Sequence, residues 1–129
     1  MNEDQLNELG AKIVQHVRDR SMQKLDAAFS SRARHAIARR FRAAAKGSVD
    51  ELVSTVVMEC VDGVIAELFH AIDSGALNLR YVADDDQVFS LTEDGQGELA
   101  GWYIGQDGWR TKFSKTRFID DITVGPEEP

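Results

Sequence analysis

The sequence predicts an α+β fold: three to four N-terminal helices packed on a four- to five-stranded antiparallel β-meander. Two observations carry that expectation. Through the first 75 residues, apolar side chains recur at three- and four-residue steps; after Gly75 the period changes to two, that of a half-buried strand. Helices first and hairpin-linked strands second is the α+β order. The length of 129 residues suits one domain, read as 1–124, with a polar, disordered tail over 125–129.

The chain is organised around Ser48–Gly75. Ser48 and Glu51 stand at capping-box spacing, and Asp73-Ser74-Gly75 is a usual helix stop. Between them, Val49, Val53, Val56, Val57, Cys60, Val61, Val64, Leu68, Ala71 and Ile72 cover nearly half the circumference of a helix. Thr55, Glu59, Asp62, Ala66, His70 and Asp73 gather on the other side. A face this wide predicts a central core helix, covered on most sides, with one face of the meander laid upon it.

Upstream, Leu6, Leu9, Ile13, Val14 and Val17 give a helix from Asn2. Ser21-Met22 offers a restart and Leu25 and Phe29 continue the pattern, so 2–29 reads as one long bent helix or two pieces. Ser31–Lys46 is a short basic helix. Ala33, Ile37, Phe41 and Ala44 form its apolar stripe, and Arg32, His35, Arg39, Arg42 and Lys46 fall within about 80° on the opposite side.

Downstream, Leu77–Tyr81 alternates as a first strand, Ala83–Gln87 is a turn, and Val88–Thr92 is a second strand. Leu99–Ile104 and Trp109–Ser114 read as a third and fourth, joined by a hairpin containing the turn-forming Asp107-Gly108 pair. Phe118–Val124 adds a short fifth.

The net charge of −7 is split unevenly. Residues 1–47 carry ten Lys/Arg and five Asp/Glu; residues 48–129 carry five and seventeen. That acidic total argues against attachment to nucleic acid by bulk charge. The single cysteine, Cys60, excludes an intramolecular disulfide, no apolar run reaches the length of a membrane span, and the acidic start is unlike a signal peptide. A cytoplasmic location follows as the expectation.

The strongest binding signal is the expected hairpin carrying Trp102, Tyr103, Trp109 and Arg110, residue types that dominate interface hot spots. With the acids Asp84, Asp85 and Asp86, it predicts a non-enzymatic, acidic protein-binding module, of the bacterial immunity or inhibitor kind, that neutralises a basic partner. Complementary charge would speed that association. The alternative is a nucleic-acid-associated regulator using Arg32, Arg39, Arg42 and Lys46. A third reading is a small enzyme or metal site at Glu67 and His70, whose Glu-x-x-His spacing shares one helix face. Bundles that bind paired metals need a second such motif, which the chain lacks, and Glu67 is expected instead to meet an arginine of the basic helix.

No cofactor motif is present. Asp84–Asp86 fail the calcium-loop pattern because Phe89 stands where glycine is required. Gly95, Gly97 and Gly101 lack the strand, helix and Lys-Ser/Thr pair of a phosphate loop. Cys60 has no flanking signature of a nucleophile and reads as a small hydrophobe. The wide apolar helix also offers a surface for homodimerisation.

Overall fold

The computed structural model describes residues 2–28, 30, 32 and 34–118. The fold is mostly helical with one two-stranded sheet, so the expected four- to five-stranded meander does not form. In chain order the elements are α1 (Glu3–Ile13), a π-helical stretch (Val14–Asp19), α2 (Arg20–Ala28), α3 (Ala36–Ala45), α4 (Val49–Asp73), β1 (Arg80–Val82), β2 (Val88–Ser90), α5 (Leu91–Asp94), α6 (Leu99–Ile104) and α7 (Trp109–Phe113).

α1, the π stretch and α2 form one continuous helix. Asn2 and Gln5 close a capping box at its start, each side chain accepting the other's backbone N–H at 2.9 Å. Ser21, where a restart was expected, instead donates its hydroxyl to the Val17 carbonyl at 2.6 Å, one turn back and next to the wider π turn. α3 is capped by His35, whose Nδ1 accepts from the Ala38 N–H at 3.3 Å. It buries Ala38, Phe41 and Ala44.

α4 begins where the sequence places it. The Ser48 hydroxyl accepts from the Glu51 N–H at 3.1 Å. It ends at Gly75, whose φ of +80° is the left-handed turn that glycine takes without a Cβ penalty. α4 packs against α2, α3, α6 and the π stretch. Its last turns join Val17, Leu77 and Leu99 through Ala71 and Ile72 to make the main buried core.

The rotation of α4 differs from the expectation. Glu59 and Glu67 are buried, whereas Val49, Val53, Val57, Val61 and Val64 are exposed. Half of the apolar arc thus faces outward, and among the described residues no sheet lies on it. The cause is the cation supply of the surrounding helices, described below.

Four of the expected strands fail or shift for local reasons. β1 and β2 pair antiparallel, Tyr81 opposite Phe89, and shorten the first two strands to three residues each. Leu91–Asp94 turns helical because the Ser90 hydroxyl caps it and Thr92 donates to the Ile72 carbonyl at 2.9 Å. Leu99–Ile104 is helical because the Asp73 carboxylate accepts the N–H groups of both Leu99 and Ala100 at 3.0 Å. Trp109–Phe113 is helical, with Gly108 at its start. A Cβ there would lie 2.2 Å from the Trp102 carbonyl oxygen, so the Asp107-Gly108 pair serves a tight helix-to-helix corner and not a hairpin. Most of the expected fifth strand and the whole of the expected tail lie outside the described residues.

Asp73 thus ties the end of α4 to the start of α6 from 26 residues away. Asp73→Ala should cost about 1–2 kcal/mol, the range for losing an N-cap, read as a lowered urea midpoint with unchanged slope. Wild-type stability in that variant would show that α6 does not depend on this cap.

Candidate functional site

The inward face of α4 carries three carboxylates, and each meets a cation from a different helix. Glu67 takes Lys24 of α2. Glu59 takes Arg40 of α3, whose Nε donates at 2.8 Å and whose Nη2 donates as well. Asp62 takes Arg110 of α7 at 2.9 Å. Burial of these charges is costly unless each is paired and hydrogen-bonded. Lys24 differs from the two arginines: its side chain stays 64% exposed while that of Glu67 is 5% exposed, so it reaches inward along its stem and leaves much of itself in water.

The expected arginine of the basic helix is therefore present, but it meets Glu59. Glu67 is turned to Lys24 and not to His70, which is exposed near the end of α4. A cavity of about 530 Å³ lies beside these pairs, with Glu59, Asp62 and Glu67 at its wall and Leu25, Ile37 and Ile104 between them. Among the described residues, no group of three or more His, Cys, Asp or Glu is arranged to hold a metal ion.

Of the residues expected at the binding hairpin, Tyr103, Trp109 and Arg110 come together, facing inward. The Tyr103 hydroxyl donates to Asp62 at 2.6 Å, and Arg110, which is buried, donates to the other oxygen of Asp62 and to the Ile104 carbonyl at 2.8 Å. Trp109 packs edge-on against Phe69, ring centres 5.4 Å apart, and Tyr103 lies 5.8 Å from the same ring. Trp102 stands apart and exposed, with the Lys112 ammonium 5.5 Å from its ring centre. Asp84, Asp85 and Asp86 form the exposed tip of the β1–β2 hairpin. There Asp85 accepts the Gln87 N–H at 3.1 Å, and Asp86 takes a φ of +66°.

The basic helix begins at Ala36 and not at Ser31, because His35 caps it; Arg32 precedes it and Lys46 follows it, both exposed, while Arg39 and Arg42 lie on it half-buried. Cys60 is half-buried on α4. Burial, and then the charge of neighbouring Glu59, pushes its thiol up, away from the thiolate that a nucleophile requires.

Two exposed apolar surfaces stand out, the first expected from the sequence as a self-association surface and the second not. One is the valine face of α4, which opens beside a groove of about 680 Å³ lined by Met58, Ile65, Phe69, Trp109 and Phe113. The other is the β1–β2 hairpin itself, whose four large apolar residues are exposed. The valines were visible as an apolar arc, but their outward turn depends on Lys24, Arg40 and Arg110, which no local pattern couples to α4. The chain matches no protein-family model, no curated protein and no solved structure. Among the described residues, no helix is long and apolar enough to cross a membrane.

Two predictions follow from Asp62. Asp62→Ala removes the carboxylate shared by Arg110 and Tyr103 and should cost about 3 kcal/mol or more, the cost of breaking a buried pair, measured by denaturant unfolding; a loss of a few tenths would show the pair to be effectively solvated. The second concerns pH. Burial first, then the hydrogen bond to Asp62 and its charge, push the Tyr103 phenol up, against an opposing pull from Arg110. The folded value lies above the unfolded one, so this group's stabilisation is complete below about pH 10 and is lost as pH rises beyond it. The unfolding midpoint should drop steeply on alkaline titration, and Tyr103→Phe should flatten the drop; an identical alkaline slope in the variant would remove the assignment.

Proposed function

We propose that the protein is a non-enzymatic binding module that takes a basic protein partner on its acidic-tipped hairpin. The supporting observation is the hairpin's exposure. Tyr81, Val82, Val88 and Phe89 are between 37% and 58% exposed, directly beside the exposed Asp84, Asp85 and Asp86. A two-stranded ribbon has two unpaired edges, gains little stability from pairing alone, and is a natural template for an added strand. Apolar and aromatic side chains would supply contact area, and the aspartates would supply charge complementarity within a chain of net charge −7. This reading moves the docking element from Trp102 and Trp109 to residues 80–90, because Tyr103, Trp109 and Arg110 are committed to Phe69 and Asp62.

The nucleic-acid alternative through Arg32, Arg39, Arg42 and Lys46 draws less support, since Arg39 and Arg42 are half-buried. The test is capture by the immobilised chain from a nuclease-treated lysate at low and high salt, beside the triple variant Asp84→Asn/Asp85→Asn/Asp86→Asn. Asparagine tolerates the left-handed backbone of Asp86, so the turn is retained. A basic protein should be captured, with capture falling steeply with salt and by about tenfold or more in the variant. Equal capture by the variant would remove the hairpin from the interface, and material captured from untreated lysate but lost on nuclease treatment would transfer the role to Arg32, Arg39, Arg42 and Lys46.

A further inference from the structure

α4 turns five valines outward. Val49, Val53, Val57, Val61 and Val64 are each between 42% and 75% exposed. At 1.5 Å per residue they mark a stripe about 22 Å long. Within it, Val49, Val53, Val57 and Val61 follow steps of four, the ridge along which helices interdigitate, with β-branched side chains at all four positions. From Leu52 to Ile65 the charged residues are Glu59 and Asp62, and both turn inward to arginines.

We infer that this stripe is the interface of a homodimer in which two copies of α4 pack antiparallel about Val57. Three observations select a second copy. The ridge fits a helix of its own spacing. Between Val53 and Val64 the stripe presents no outward carboxylate, so that stretch offers nothing to the basic partner suited to the hairpin. Its area is also adequate: two such stripes, flanked by Met58 and Phe113 of the adjoining groove, bury on the order of 1,000 Å², the low end for a specific interface. The antiparallel sense follows from Asp50 and Glu51 in the first turn of α4, which a parallel pair would set against their own copies. A two-fold axis at Val57 sets it against the partner's Val57, Val53 against the partner's Val61 and Val49 near the partner's Ile65.

Each copy carries a net charge of −7, so the two repel at long range and salt should strengthen the dimer. Docking of a basic protein on the hairpin has the opposite salt dependence. The two readings are therefore separable, and the triple asparagine variant of the hairpin should leave the dimer unchanged.

Sedimentation of the full chain tests the inference. The expected result is a concentration-dependent rise toward twice 14.3 kDa, at lower protein concentration in high salt than in low. Val57→Asp should give a monomer with wild-type helical circular dichroism, since the side chain faces away from the core. In a Cys60→Ser background, Val57→Cys should form a covalent dimer without reductant, and Val49→Cys should not. A wild-type chain that stays at 14.3 kDa up to about 0.1 mM, a hundredfold above a micromolar Kd, overturns the inference and leaves the stripe to another occupant, a separate protein or residues beyond Phe118. A Val57→Asp chain that still dimerises overturns it equally. Should Val57→Asp lose its helicity, the Val57→Cys cross-link decides alone: no covalent dimer, or one formed as fast by Val49→Cys, refutes the pairing.

Discussion

The rotation of α4 about its own axis is the constraint on which the rest of the structure depends. Glu59, Asp62 and Glu67 each reach a cation on a different neighbour, Arg40, Arg110 and Lys24. Turning the helix half a revolution would bury the valines, but it would strip these contacts. Breaking a buried pair costs about 3–5 kcal/mol. A half-exposed valine forgoes roughly 1 kcal/mol of burial. The pair-breaking penalty applies to the cation left behind: Arg110, whose side chain is 6% exposed, would stay buried beside a wall of valines without its carboxylate. The observed rotation keeps every one of these charges paired at the expense of exposing the valines.

The same logic explains what was legible. Helix ends were: Ser48, Gly75 and the Asn2 start are decided by residues within four positions of one another, and local chemistry is written locally. The central helix was legible for the same reason, and so was the body of the basic helix, though its start lies at Ala36 and not at Ser31. The strands were not. Leu99–Ile104 is a short apolar run and Trp109–Phe113 a brief apolar–polar alternation, and both are too short to fix a period. Their choice was made by Asp73, 26 residues upstream, and by the close approach of Gly108 to the Trp102 carbonyl. Only Arg80–Val82 and Val88–Ser90, with a tight turn between them, became a ladder.

The site residues divide along the same line. Composition singled out Trp102, Tyr103, Trp109 and Arg110 as uncommon and contact-prone, and three of them do make dense contacts. Those contacts are intramolecular, because a helix directs Tyr103 and Arg110 onto Asp62 where an alternating strand would have splayed them. A single sequence shows which side chains have the chemistry to bind. Whether they bind the protein itself or another molecule depends on the element that carries them.

The apolar arc of α4 has two fates, and their boundary has a physical cause. Ala71 and Ile72, at its C-terminal end, meet Val17 of the π stretch and close into the core. Toward the N-terminus, α2 and α3 lie on the side that holds Glu67 and Glu59, and α7 reaches Asp62. These helices grip the carboxylates, so they sit around the acidic side, and among the described residues the valines stay largely exposed, approached at one edge by Arg117, which donates to the Ser54 carbonyl. A cover for the valines would have to come from outside this set of helices. In a chain with so large an excess of acid, the surface left open is the one that carries no charge, and an uncharged surface gains most from burial against another of its kind.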